Sequence, residues 1–251
     1  MTQSDGVLDR VTIVLHRPRI SENIGAAARA ACNMGISHLS VVDPQDLDLP
    51  RALKMATHSA AHLIHEMHVY SDLATALQSQ QYVVGTTART GGQRKELKTP
   101  QETAGDVISI CRRNRVALLF GPEDRGLTNT QLQCCHALVT IPTAGFSSLN
   151  LAQAVMIVCY ELLVASGRPP DRFVPRLANR YELDQMYDHL RRVLLRISFL
   201  QPENPEIGMQ HIRRFFSRVG LRARDVKVIR GLCRQIDWYT TRREEIQRSR
   251  G

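Results

Sequence analysis

The 251-residue chain pairs none of its six cysteines in a C-x-x-C spacing and has no apolar run long enough to cross a bilayer. Cys32, Cys111, Cys134, Cys135, Cys159 and Cys233 follow neither metal-ligand nor disulfide-framework spacing. Adjacent Cys134-Cys135 is poor geometry for a mutual bond, so reduced thiols are expected. The longest apolar run, residues 151–165, is interrupted by Gln153 and Glu161 and falls short of the ~20 residues a membrane helix needs. Residues 1–10 are polar and lack the apolar core of a secretory signal, so a cytoplasmic location is expected. Two nucleotide signatures are also missing. The first loop reads Arg17-Pro-Arg-Ile-Ser-Glu-Asn-Ile-Gly25, not G-x-G-x-x-G, and no P-loop lysine follows a strand. An NAD-dependent oxidoreductase is thereby disfavoured. His58, His62 and His65 would share one face of a helix, yet they form no H-E-x-x-H. The segment also turns towards a strand near Met67, and no metal is expected.

What is present is an alternation. Strand signals fall at residues 11–16, 38–43, 67–70, 82–85, 116–120 and 137–141. Helical patterns fall between them at 24–34, 51–56, 72–80, 101–112 and 130–134, and a longer helix at 150–166 closes the series. Thr99-Pro100 is an entry signal, a hydroxyl cap followed by proline at the first helical position. Alternating strand and helix implies an α/β domain with a parallel sheet covered on both faces. A proline- and arginine-bearing linker at 167–180 follows, and beyond it the pattern is all helical, at 182–198, 208–219 and 223–243. The expected domains are therefore 1–166 and 181–251.

Charge divides along the same line. Residues 1–167 hold 14 Lys and Arg against 14 Asp and Glu, whereas residues 168–251 hold 19 against 10. All but one of those cations, Lys227, are arginine. Guanidinium forks match phosphates and stack on bases, so this appendage reads as RNA-binding.

Three segments share a strand-to-loop grammar that suits a ligand cradle: residues 23–35, 120–129 and 141–150. The middle one reads Phe120-Gly-Pro-Glu-Asp-Arg-Gly-Leu-Thr-Asn129. Spacing alone does not name their ligand. Together, however, Asn23 to Arg29, Gly121-Pro-Glu123 with Gly126-Leu-x-Asn129, and Ser148-Leu-Asn150 resemble motifs 1, 2 and 3 of the SPOUT superfamily of RNA 2′-O-methyltransferases. The tail sharpens the likeness. Tyr187-x-His-Leu, Phe199-Leu-x-Pro-Glu-Asn-Pro205, Arg213-Arg-Phe-Phe-Ser-Arg218 and Ile229-Arg-Gly-Leu-Cys-Arg-Gln-Ile236 are similar to the bacterial TrmJ type, which methylates the ribose at tRNA position 32.

That resemblance implies a trefoil knot at the end of the α/β domain. It further implies S-adenosylmethionine as cofactor, tRNA as substrate, and a homodimer with each active site at the subunit interface. Carried onto this sequence, the cofactor pocket would comprise Thr86, Thr87, Ala88, Gly121, Ile141, Ser147, Ser148 and Leu149. The catalytic group would comprise Arg29, Asn23, Glu123, Ser148 and Asn150. Arg29, read as a buried charge within an alanine-rich helix, would face the ribose hydroxyl from the partner's side. It would act either as general base or as a clamp on the adjoining phosphate. Asn23 and Asn150 would hold the arginine or the ribose, Glu123 would accept from a neighbouring donor, and Ser148 would lie near the methyl path. Phe146 stands where some TrmJ-type chains carry tyrosine. Two alternatives remain open, the same chemistry on ribosomal RNA and a non-catalytic RNA-binding protein of this fold.

Overall fold

The computed structural model describes residues 6–89, 96–167, 175–217 and 220–248, and two compact units divide the chain at Pro175/Arg176. Residues 168–174 of the expected linker lie outside the described residues.

The first unit is built on strands β1 (Val11–His16), β2 (His38–Val42), β3 (His68–Tyr70), β4 (Tyr82–Thr86), β5 (Leu97–Lys98), β6 (Val116–Phe120) and β7 (Ala137–Val139). They form a parallel sheet in the order β3-β2-β1-β6-β4-β7-β5. At the centre of the sheet β6 is apolar throughout because helices cover both faces, and every one of its residues is buried. One face carries α1 (Ser21–Asn33), α2 (Leu49–His65), α4 (Pro100–Cys111) and α6 (Leu151–Ser166), which pack on one another. The other carries α3 (Leu73–Leu77) and α5 (Asn129–Gln133), whose Leu77 and Leu132 join Val14, Val83 and Leu119 in a buried cluster.

Local sequence fixes the helix starts. Thr99 and Glu102 form a reciprocal capping box at α4, with Pro100 in the first turn. Ser21 opens α1 and ties it to α2, since its hydroxyl donates to Asp46 at 3.0 Å and accepts from the Asp48 amide at 2.7 Å. Gly25 lets the two helices meet, because a Cβ there would lie 1.9 Å from the Ala52 carbonyl oxygen. The α2 pattern expected to stop at residue 56 instead resumes after a kink at Thr57 (φ 62°, ψ 171°). That conformation is costly for a β-branched residue, so the chain breaks helix geometry for a single residue and then continues. β5, two residues at the sheet edge, left no periodicity to read.

The second unit contains α7 (Arg180–Arg196), α8 (Pro205–Ser217) and α9 (Ala223–Arg248) around Leu183, Met186, Tyr187, Leu200, Met209 and Val226. Asn179 and Glu182 form a capping box that starts α7. A polar bridge joins α7 to α9. Asp237 meets His189 Nε2 at 2.9 Å with one oxygen and Arg196 at 2.8 Å with the other.

Candidate active site at the carboxyl ends of the strands

In open α/β sheets, ligands settle beyond the carboxyl ends of the strands. Here β1, β6, β4 and β7 are lateral neighbours, so the loops that leave them emerge side by side. The three sequence segments meet in that place. Asn23 Nδ2 donates to Glu123 Oε1 at 2.8 Å, and Asn150 Nδ2 donates to Asn23 Oδ1 at 2.9 Å. Asn150 is also the N-cap of α6, where its Oδ1 accepts from the amides of Ala152 (2.9 Å) and Gln153 (3.4 Å). Glu123 Oε2 accepts from the Arg19 amide at 3.0 Å, and the Arg19 guanidinium reaches Asp124 at 2.8 Å. Both amide orientations are thereby fixed by their partners. Asn23 is the third residue of α1, not its cap, so helix initiation does not account for it.

Arg19 was missed by sequence reasoning. Half its work is done by a backbone N–H, which any residue but proline would supply, so no side-chain pattern could mark it.

The middle loop is a close-packed cradle. A Cβ on Gly121 would lie 2.4 Å from both the Gly126 carbonyl carbon and the Leu127 nitrogen, and Gly126 itself takes a φ of +64°. Glycine is required at the first by space and favoured at the second by conformation. Neighbouring loops are tied to it. Thr86 Oγ1 donates to the Leu119 carbonyl at 3.2 Å, the Thr87 amide donates to the Val139 carbonyl at 3.0 Å, and Arg89 donates to the Leu127 carbonyl. Thr86, Thr87, Gly121, Ile141 and Leu149 are half-buried, whereas Ala88, Ser147 and Ser148 are exposed. These residues offer small side chains, hydroxyls and main-chain groups, and none of them is charged. That donor set fits the adenosine and amino-acid parts of S-adenosylmethionine.

Arg29 corrects an expectation. It is exposed, while Ala27, Ala28 and Ala30 around it are buried, because helical phase turns residue 29 outward. It makes no hydrogen bond or ion pair with any described residue and takes no part in the Asn23–Glu123–Asn150 group. Phe146 is 78% exposed.

His16, at the end of β1, is buried and lies 3.3 Å from Gln131 Nε2. Burial pushes its pKa below the ordinary value, and the neighbouring Arg17 adds to the effect. Arg17 (φ 53°) and Asp43 (φ 45°), at the ends of β1 and β2, both hold left-handed backbone and pair at 3.0 Å. Burial likewise raises the Cys111 and Cys159 thiols to about 12, in keeping with inert core residues. Among the described residues no group of His, Cys, Asp and Glu could hold a metal, and no helix is long and apolar enough to cross a membrane. A cleft of about 990 Å³ at the opposite pole, lined by Arg10, Gln80, Arg113 and Arg115, contains none of the motif residues.

Known proteins match both parts of the chain. Residues 10–160 match the SpoU rRNA Methylase family, and residues 181–249 match the C-terminal domain of the tRNA methyltransferase TrmJ. The tRNA (cytidine/uridine/adenosine-2′-O-)-methyltransferase TrmJ of Pseudomonas aeruginosa is 36% identical over 240 residues, covering 90% of this chain and 93% of the relative. The tRNA (cytidine/uridine-2′-O-)-methyltransferase TrmJ of Sodalis glossinidius is 36% identical over 239 residues, covering 92% of each. The crystal structure of TrmJ from Z. mobilis ZM4 superposes with a TM-score of 0.77 at 29% identity, covering 90% of this chain and 98% of that one. With both its sheet domain and its helical extension matched, the chain belongs to the SpoU methylase family and carries a TrmJ-type C-terminal domain.

Proposed function

We propose that this protein transfers a methyl group from S-adenosylmethionine to the ribose 2′-hydroxyl of cytidine or uridine in tRNA, at position 32 of the anticodon loop. The observation that carries the reading is the hydrogen-bonded chain Glu123–Asn23–Asn150, which draws three distant motifs into one site. The TrmJ-type names of the curated relatives support the substrate class.

The cofactor supplies an already activated methyl group, so the protein's task is to bind, align and manage one proton. Thr86, Thr87, Ala88, Gly121, Ile141, Ser147, Ser148 and Leu149 would hold it chiefly through main-chain groups. Asn23, fixed in orientation by Glu123 and Asn150, keeps an amide N–H for a ribose or phosphate oxygen. Ser148, exposed on its loop, would donate near the reacting oxygen. Fixing the oxygen in line with the methyl group removes several kcal/mol of positional entropy from the barrier.

Arg29 is the group that faces the hydroxyl. Its exposure and lack of intramolecular partners suit a homodimer in which it completes the partner's site. A guanidinium stays protonated in proteins, so clamping the adjoining phosphate and polarising the hydroxyl is the role its chemistry favours. The family's trefoil knot would form where residues 141–150 return to Asn23. The arginine-rich unit would supply phosphate contacts.

The test is methyl transfer from labelled S-adenosylmethionine to bulk tRNA by wild type and by Arg29→Ala. Label mapped to ribose 32 and lost in the variant is expected. Label entering ribosomal RNA instead would overturn the substrate, and no transfer to either RNA would overturn the activity.

A further inference from the structure

Resting on the tRNA reading above, we infer that the outward face of α9 is a stacking platform for unpaired RNA nucleotides, with Trp238 and Tyr239 receiving bases and flanking cations receiving phosphates.

The argument begins with helix phase. α9 runs 26 residues, about 39 Å at the α-helical rise. Its inner side is defined by buried Val226 and Cys233 and by Asp237, whose two carboxylate oxygens are taken by His189 and Arg196 of α7. This three-residue bridge sets the rotation of the helix. Residues on the other side then point away from the core. Val228, Leu232, Trp238 and Tyr239 are 57%, 61%, 52% and 60% exposed. Such a concentration of large apolar groups on one outward helix face is unusual without an occupant.

Charge selects the occupant. Arg224, Lys227, Arg234, Arg242 and Arg243 are exposed along the same helix. The acids of this helix whose side chains are described are fewer: Asp225 lies in its first turn and Asp237 pairs with Arg196 on the inner side. Two copies of this face laid antiparallel would set Arg224 against Arg242 and Arg243, which opposes self-pairing. A polyanion with flat aromatic rings matches both features. The Arg242 guanidinium carbon already lies 5.1 Å from the Trp238 ring centroid. One ring face thus carries a cation, and the indole remains half exposed for a base. Bases locked in a duplex cannot stack this way, so the preference is for a loop.

Trp238 is the only tryptophan of the chain, so its emission reports this face alone. The full-length protein is titrated with a tRNA anticodon stem-loop and with a fully paired duplex of matched length. The expected result is saturable quenching of Trp238 and reduced acrylamide access with the stem-loop, and little change with the duplex. Tyr239→Ala should weaken stem-loop binding roughly tenfold without altering its salt dependence. Arg242→Gln should lower the slope of log affinity against log salt by about one. Trp238→Phe, which keeps a ring, should retain binding. Whole-tRNA filter binding separates the failures. Binding at wild-type affinity by Tyr239→Ala, with Trp238 emission unchanged, would overturn the platform and leave the proposed function standing. Emission that responds to protein concentration instead of RNA would assign the face to a protein partner. No tRNA binding at all would sink the proposed function and the platform with it.

Discussion

The two units of the chain solve opposite problems with opposite materials. In the first, cations and anions balance, the apolar side chains of the central strands are buried, and Asn23, Glu123 and Asn150 bond to one another. In the second, arginine dominates and Tyr181, Phe199, Phe215, Trp238 and Tyr239 face outward. A reaction centre needs atoms held to fractions of an ångström, so its groups are tied internally. A surface for a long polyanion needs excess charge, and there cations outnumber acids even though Arg180, Arg191, Arg196 and Arg213 pair with carboxylates of the same unit.

The contrast can be broken at Arg29, which is exposed and makes no hydrogen bond or ion pair with a described residue. Arg29→Ala should reduce methyl transfer by about 100-fold or more while cofactor binding, followed by calorimetry, stays intact. Mixed dimers of Arg29→Ala with Asn23→Ala should recover part of the activity if the arginine serves the partner's site. No recovery on mixing would place it in its own. Next in size is Met209→Ala, which opens a cavity beneath α8 and should cost about 2–5 kcal/mol in the second unit. Its expected signature is lost tRNA affinity with unchanged cofactor affinity, and loss of both would mean that the units are not separable in function. Asn23→Ala should lower turnover about tenfold with little change in melting temperature, since it breaks a half-exposed link.

The smallest effect concerns His16. Its folded-state pKa is lowered from 6.5 by burial, so the unfolded chain takes up the proton first as pH falls. Its contribution is complete above that ordinary value and is lost progressively below it. The melting temperature of His16→Asn should therefore depend less on pH than that of wild type between about pH 7 and 5. Parallel curves would show that His16 does not titrate in this range.

Much of this was legible because apolar runs ending in glycine and amide residues mark strand ends, and because the three motifs carry their own spacing. The parallel sheet and the segments 23–35, 120–129 and 141–150 followed from that. What escaped was set by three-dimensional phase and by the main chain. Alanines beside Arg29 in sequence suggested burial, yet adjacent helix positions lie 100° apart and the arginine turns outward. Arg19 holds Glu123 through an amide that carries no sequence signature. At Thr57 a single strained residue splits α2 without any glycine or proline to announce it.

Asn150 bonds to Asn23 across 127 residues of chain while capping the last helix of its unit. The site therefore has a timetable as well as a geometry. A chain emerging from the ribosome carries Asn23 early and must be synthesised past residue 150 before α6 can dock and close the Glu123–Asn23–Asn150 link. Until then its three motifs are held apart, and an incomplete copy lacks the Glu123–Asn23–Asn150 link.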